Sequence, residues 1–246
     1  MTDALTGVNE KLKRAHENIL NLQIEVSGFF QGGKHPIRGD EDFHTIMEAG
    51  AYFQEQPIDS HFAVLTGEII HHFRSCLDHI AWQLSSPEHR KDHPGGIEFP
   101  VFRKKPVNKD ELSQYSRKVK GISNTEALRL IEEAQPYNSL DPLDDPIWII
   151  HDMDRIDKHQ ELVIIAVGFD LFAPPHLEEL ARRYASEDIP IPADVALQLQ
   201  KYIKLSPDIA FRQFGKRENQ LVIPSLSYLE ETIHGAVGLF AELLKC

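Results

Sequence analysis

Hydrophobic residues recur at alternating spacings of three and four along the first thirty positions of the chain. The set comprises Leu5, Val8, Leu12, Ala15, Ile19, Leu22, Val26 and Phe29. This spacing keeps the apolar side chains on one stripe of a helix and is typical of a long helix packed lengthwise on other helices. The run is too short for a sustained coiled coil, so we predict bundle packing.

Two more long helices are predicted in the middle of the chain. The first spans residues 61–84, with Ser60 as its N-cap. The second spans residues 147–160 and follows Asp145 as N-cap, with a proline in its first turn. Both carry a clear apolar arc, so both are expected to pack in the core.

Two further helices are predicted from pairs with the spacing of a capping box. Ser123 and Glu126 begin a helix that stops before Pro136. Ser227 and Glu230 begin the last helix of the chain. Strands are predicted at 97–102 and 161–170, and a hairpin at about 43–58. Within 195–223, two strands are predicted to pair around Gly215. The segment DVALQLQKYIKL, at the start of this region, fits either a strand or a helix.

The predicted fold class is α+β, with a helical-bundle core and a small antiparallel sheet. We predict one domain over residues 1–246. Its helical core takes about 1–30, 60–85, 123–160 and 224–245.

Composition limits the classes of function. The 246 residues carry a formal net charge of −12, which counts against broad, non-specific binding to nucleic acid or to anionic membranes. Residues 102–121 are the exception, with seven Lys or Arg against two acidic residues. There are two cysteines, no signal-peptide pattern and no apolar run long enough to span a membrane, so we expect a cytoplasmic protein.

The helix at 61–84 carries an unusual polar arc. Arg74, Asp78, His71 and His79 lie on it, and Trp82 falls in its middle. A solvated face is the simplest interpretation of such an arc. Trp usually buries most of its surface, however, so a covered polar cluster is the alternative. Arg74 and Asp78 are four residues apart, and an ion pair between them is the minimum expected.

The helix at 147–160 places Asp157 on its apolar side. A carboxylate there needs a partner, because an unpaired buried charge is costly. Arg74 and His79 fit best, so we predict that the two helices meet through Arg74, Asp78, His79 and Asp157. Asp154, Lys158 and His159 flank this position. The cluster is interpreted either as catalytic or as a structural tie between helices.

Arg74 and His79 together form an R-x4-H sequence. This resembles the R-x4-6-H motif of HEPN-superfamily ribonucleases, which are helical bundles that often dimerise. The resemblance implies metal-independent RNA cleavage, in which His79 transfers protons and Arg74 stabilises the charged phosphate. On a helical wheel, however, the two side chains point roughly 140° apart.

A wider resemblance covers about residues 60–165. The segments FRSCLDHIAWQL, IEFPVF, AQPYN and RIDKHQEL, in this order, resemble a group of uncharacterised bacterial proteins with RS-x-LDH, FP, QPY and IDKH motifs. By position the resemblance marks six residues as candidate site residues: Arg74, Asp78, His79, Asp157, Lys158 and His159. It implies no activity. Asp154 stands where that group has Asn, and Gln160 where it has Arg.

Three functions therefore stay open. The first is a HEPN-like ribonuclease or RNA-binding protein, with RNA disfavoured by the acidic net charge. The second is a non-enzymatic protein whose polar cluster is structural or forms the interface of a homodimer, which is the oligomer we expect. The third is a metal site, with ligands drawn from His71, Asp78, His79, His151, Asp154, Asp157 and His159. No cofactor is indicated.

Overall fold

The computed structural model describes residues 5–31, 58–160, 162–171, 173–187 and 189–244. Its helices are α1 (Thr6–Gln31), α2 (Ser60–Leu84), α3 (Pro87–Asp92), α4 (Lys109–Val119), α5 (Thr125–Glu133), α6 (Pro146–His159), α7 (Pro175–Glu187), α8 (Ala193–Leu199) and α9 (Val222–Leu244). A 3₁₀ turn, Pro136–Asn138, lies between α5 and α6. The strands are β1 (Ile164–Leu171), β2 (Ile203–Phe214) and β3 (Arg217–Leu221). The protein is therefore α+β, mostly helical with a small antiparallel sheet, as predicted.

The apolar stripe of α1 is buried along its length, as the spacing of three and four predicts. Leu5, Val8, Leu12 and Leu22 are all buried. The prediction is wrong at the end of the stripe, where Phe30 is buried and Phe29 is exposed. The last step from Val26 is thus four residues rather than three, which a straight helix favours because its repeat is 3.6 residues.

Capping residues set several helix starts. The Asp145 carboxylate accepts hydrogen bonds from the N–H groups of Ile147 and Trp148, as predicted for the start of α6. The N-cap of α5 is Asn124 rather than Ser123, and its side chain accepts from the next turn at 2.9 and 3.1 Å. The capping box predicted at Ser227 and Glu230 is also wrong, because α9 already begins at Val222 and Ser227 lies inside it.

The described residues fall into two compact units. The first comprises Met1–Gln23, Ser60–Val163 and Phe211–Cys246, and the second comprises Ile24–Asp59 and Ile164–Ala210. The prediction of one domain for the whole chain stays a prediction.

In the first unit, α2 packs against α6 and α9, and α9 also contacts α5, α6 and β3. The rings of Phe99 and Phe240 meet edge to face, with their centroids 6.1 Å apart, in this core. His16 of α1 reaches Glu230 of α9 at 3.1 Å. Every residue of the candidate site discussed below lies in this unit.

The second unit has its own small core. It is formed by Ala173, Leu177, Val195 and Leu199, with the side chains of α7 packed around them. The segment DVALQLQKYIKL, for which strand and helix were both open, is divided: it is helical up to Leu199 as α8, and its last residues, from Ile203, belong to β2.

The sheet has the strand order β1-β2-β3. Gly215 connects β2 and β3 with a φ of 61°, a left-handed conformation that glycine adopts without strain. The pair of strands predicted around Gly215 is confirmed for IAFRQF, but the second strand is Arg217–Leu221 rather than QLVIP, because the last helix already begins at Val222. The hairpin predicted at 43–58 lies, except for its last residue, outside the described residues. Among the described residues, no helix has the length and apolar character needed to cross a membrane.

Candidate functional site

Arg74 and Asp78 form the predicted ion pair, but they use it to hold a backbone segment. Arg74 Nη2 donates to Asp78 Oδ1 at 2.7 Å and to the Phe99 carbonyl at 2.9 Å. The same Asp78 oxygen accepts the Phe99 N–H at 2.9 Å. One turn of α2 thus satisfies both polar groups of a buried residue, which would otherwise be costly to bury.

Gln135 holds the following residues of the same segment. Its Nε2 donates to the Pro100 carbonyl at 2.9 Å, and its Oε1 accepts the Phe102 N–H at 3.0 Å. The strand predicted at 97–102 is therefore wrong: these residues belong to no strand. Side chains from α2 and from Gln135 take the place of a neighbouring strand, so the RS-x-LDH, FP and QPY motifs contact one another.

The helices α2 and α6 meet as predicted, but Asp157 contacts α2 at Gly67, and the ion pair between the helices is made by His71 and Asp154. Asp154 is the buried carboxylate of α6, and it lies 2.9 Å from His71 Nδ1 and 2.6 Å from Lys158 Nζ. Asp157 instead packs on the backbone of Gly67, where an added Cβ would lie 2.2 Å from its Oδ1. Burial raises the pKa of Asp157. Its predicted contact with Arg74 and His79 is not among the contacts of the described residues.

His79 lies on the α1 side of α2, away from the Arg74 pair. A Cβ added at Gly7 of α1 would lie 3.2 Å from His79 Nδ1. Burial and the Lys11 charge lower the pKa of His79. The predicted cluster of four residues is therefore corrected: Arg74 and Asp78 act together, and His79 and Asp157 have other neighbours. The angle between positions 74 and 79 on the helix explains the separation.

The other predicted site residues are peripheral. Trp82 is half-buried, and His159 is exposed at the end of α6. Among the described residues, no group of three or more His, Cys, Asp or Glu side chains is placed to hold a metal ion. The structure therefore gives the metal interpretation no support.

A basic cleft adjoins the 97–102 segment at Glu98. Its volume is about 480 Å³, and it is lined by His89, His93, Gly96, Glu98, Arg117, Lys118 and Lys120. We call this the basic cleft. His89 of α3 and His93, the C-cap of that helix, bring two imidazoles whose ring centroids are 4.7 Å apart, and the last turn of α4 with its C-cap Lys120 brings the cations.

The cations of the basic cleft are only partly neutralised. Lys118 Nζ lies 2.5 Å from Glu98 Oε2, and this contact holds the pKa of Glu98 below its usual range. Arg117 and Lys120 are exposed and make no ion pair with any residue that the structure describes. The cleft therefore has more positive than negative charge, in a chain that is strongly acidic overall.

His151 of α6 lies in the field of both Arg74 and Lys118 of the basic cleft. Burial, followed by the charges of Arg74 and Lys118, lowers the pKa of His151 to about 4. It is therefore neutral at pH 7. The Arg74 charge also lowers the pKa of Glu98, so the four side chains share one electrostatic environment. Arg74 Nη1 is buried and has no hydrogen-bond partner among the described residues.

Sequence reasoning included His151 only among metal ligands and did not predict the basic cleft. The basic stretch at 102–121 was a usable signal, because three of its cations line the cleft. His89 and His93 could be added only once Pro87–Asp92 was known to be a helix.

Comparisons with protein-family models, with curated proteins and with solved structures found no match to this chain. The two resemblances therefore stay predictions, and the function is inferred from geometry and charge.

Proposed function

We propose that this protein binds single-stranded RNA by its phosphate groups in the basic cleft. The observation that carries the proposal is a pair of exposed cations, Arg117 and Lys120, that have no ion-pair partner in the described part of the chain and lie beside Lys118 and two imidazoles. Lys and Arg supply most of the affinity for a phosphate backbone, and imidazole N–H groups can donate to the same oxygens. Because the chain is acidic elsewhere, RNA is expected to bind here and to be repelled from the rest of the surface.

Charge reversal tests this proposal. In Arg117→Glu/Lys120→Glu, we expect the affinity for a fluorescein-labelled single-stranded RNA to fall about tenfold or more at low salt. Fluorescence anisotropy measures it. The matched control is Lys13→Glu/Arg14→Glu on the exposed face of α1, which changes the net charge equally. Equal losses in the two variants, or no binding by the original protein at low salt, would refute the proposal.

Metal-independent RNA cleavage is a second candidate, favoured by one observation: a neutral His151 lies in the field of the Arg74 charge. A neutral imidazole can accept the proton of a ribose 2′-hydroxyl while the 2′ oxygen forms a bond to phosphorus. The bond from phosphorus to the 5′ oxygen then breaks, and that oxygen takes a proton from water. Arg74 and Lys118 would stabilise the negative charge on the phosphate oxygens.

Cleavage assays with a chelator present test this candidate. RNA is expected to be cut to products ending in a cyclic phosphate by the original protein and by His79→Gln, but not by His151→Gln. Loss in His79→Gln alone would instead favour the R-x4-H resemblance. If none of these proteins cuts RNA but the original protein still binds it, cleavage is refuted and RNA binding remains as the function. The predicted homodimer is a separate proposal, which light scattering in solution would test.

A further inference from the structure

A second cavity, distinct from the basic cleft, lies beside Trp148. Its volume is about 400 Å³, within the range of small-molecule pockets. Its walls include the indole of Trp148, the apolar side chains of Leu143, Ile149 and Met153, and the polar groups of Asp152 and Gln213. We call this the Trp148 pocket. It combines a flat aromatic surface and apolar walls with a small number of hydrogen-bonding groups.

Trp148 also has a cation at its ring. The Arg103 guanidinium carbon lies 5.4 Å from the ring centroid, and the His151 ring lies 5.6 Å from it. Arg103 is exposed and pairs with no carboxylate among the residues that the structure describes. Arginine on an aromatic face stays available for phosphate oxygens, because the ring does not neutralise its charge.

These features match the chemistry of a nucleotide. A nucleobase is flat, stacks on aromatic rings and carries donors and acceptors on its edge, and a phosphate follows within a few bonds. Gln213 is exposed, and its side-chain amide can offer both a donor and an acceptor to a base edge. Asp152 is held by Arg155 at 2.7 Å, so its carboxylate is already oriented.

We propose that the Trp148 pocket is a nucleobase-binding subsite, in which a purine ring stacks on Trp148 and Arg103 binds the adjoining phosphate. The inference rests on the proposed RNA binding and adds a second contact to it. Glu98 in the lining of the basic cleft and Arg103 at the Trp148 ring are five residues apart on one segment, which spans at most about 18 Å, so one RNA strand can reach both sites. Phosphate contacts in that cleft then fix the strand, and the pocket selects the base.

The chain offers a direct optical test, because it contains two tryptophans. Trp82→Phe leaves Trp148 as the only indole, and Trp148→Phe leaves Trp82. Adenosine, which has no phosphate, is expected to quench the emission of the Trp148-only variant saturably and to leave the Trp82-only variant unchanged. Adenosine monophosphate is expected to bind about tenfold more tightly than adenosine, and Arg103→Gln should abolish that difference.

Inorganic phosphate separates this subsite from the basic cleft. Phosphate alone should not quench Trp148. If adenosine fails to quench Trp148 while RNA binding still depends on Arg117 and Lys120, the subsite is refuted and the proposed function stands. If adenosine binds but RNA does not, the proposed RNA binding is refuted and the subsite stands. If Trp82→Phe does not fold, calorimetric titration of adenosine into the original protein and into Trp148→Leu decides the question: equal heats in both refute the subsite.

Discussion

Arg74 and Asp78, one turn apart on α2, both form hydrogen bonds with the backbone of Phe99. Arg74 donates to the Phe99 carbonyl, Asp78 accepts the Phe99 N–H, and the two side chains pair with each other at 2.7 Å. Burial raises the pKa of Asp78, and the Arg74 charge and the Phe99 N–H offset part of that effect. The pair thus anchors a segment without regular secondary structure to the centre of the first unit.

Replacing Arg74 with lysine should destabilise the protein by about 2–3 kcal/mol, at or below the low end of the range for breaking a buried pair, because lysine keeps the charge and Asp78 is partly exposed. Lysine keeps the charge, but its side chain is shorter and lacks the planar guanidinium that places Nη2 between Asp78 and the Phe99 carbonyl, so we expect at least one of these bonds to be lost. Urea unfolding measures the change as a lower midpoint with an unchanged slope. The control is Arg129→Lys, whose ion pair with Glu126 is exposed. A midpoint equal to that of the control would show that the anchor does not stabilise the fold.

Gly67 should not tolerate a methyl group, although it lies inside a helix where alanine is usually preferred. An added Cβ would lie 2.2 Å from Asp157 Oδ1, so Gly67→Ala must displace that carboxylate or separate α2 from α6. We expect a loss of about 1–3 kcal/mol, as for other overpacked sites. The double variant Gly67→Ala/Asp157→Ala should recover part of it.

Gly235 of α9 gives the matched control for this substitution. A Cβ there meets nothing within 4 Å, so Gly235→Ala should raise stability by roughly 0.5–1 kcal/mol. Thermal unfolding of Gly67→Ala, Gly67→Ala/Asp157→Ala and Gly235→Ala measures the melting temperature of each variant against the original protein. Stabilisation by both single substitutions would mean that α2 and α6 do not approach each other at Gly67.

Asp154 should lower the stability of the protein once its two partners are removed. Its side chain is 6% exposed, and within the described ranges His71 and Lys158 are the two groups that pair with it. In His71→Ala/Lys158→Ala the carboxylate stays buried without a partner, and we expect a loss of about 2 kcal/mol. We set this below the usual cost because both partners are half-exposed and solvent screens them.

A third substitution separates charge from packing. Adding Asp154→Asn to the double variant should restore most of the stability, because a neutral amide is easier to bury than a lone carboxylate. Chemical denaturation of the two proteins measures the recovery. A further loss on adding Asp154→Asn would indicate that Asp154 has another partner.

The elements with a regular pattern could be read from the sequence, because burial imposes the helical period on α1, α2, α6 and α9. The strand at 97–102 could not be read correctly. Its composition suits a strand, but its backbone partners are the side chains of Arg74, Asp78 and Gln135. Periodicity carries no information about hydrogen bonds from side chains that are distant in sequence.

The site shows the same limit. Arg74 and Asp78 were predicted to pair because their spacing is local, and they do. Asp157 was predicted to be the buried carboxylate of α6, but Asp154 has that position. His151 became a candidate for proton transfer only when Arg74, Lys118 and its own burial were known together. These effects arise from three separate stretches of chain, and no spacing in the sequence connects them.

His151 should make the protein less stable as the solution is acidified. Its pKa is about 4 in the folded protein, below the ordinary histidine value of 6.5. Between those values the unfolded chain binds more protons, so the free energy of unfolding falls as pH falls from 6.5 towards 4. The shift corresponds to at most about 3 kcal/mol. His151→Gln should flatten this part of the pH profile, whereas His234→Gln, on the exposed face of α9, should leave it unchanged. An unchanged profile in His151→Gln would contradict the assignment.

Anion binding in the basic cleft should raise the pKa of His151. The charges of Arg74 and Lys118 lower that pKa, and a phosphate close to them would offset their effect. Nuclear magnetic resonance of the histidine ring protons, with His151→Gln to assign the signal, measures the pKa in phosphate and in chloride at equal ionic strength. We expect the higher pKa in phosphate, and we expect Arg117→Glu/Lys120→Glu to abolish the difference because it removes the site. Identical titrations in the two salts would place bound phosphate elsewhere and would remove His151 from any role in handling RNA.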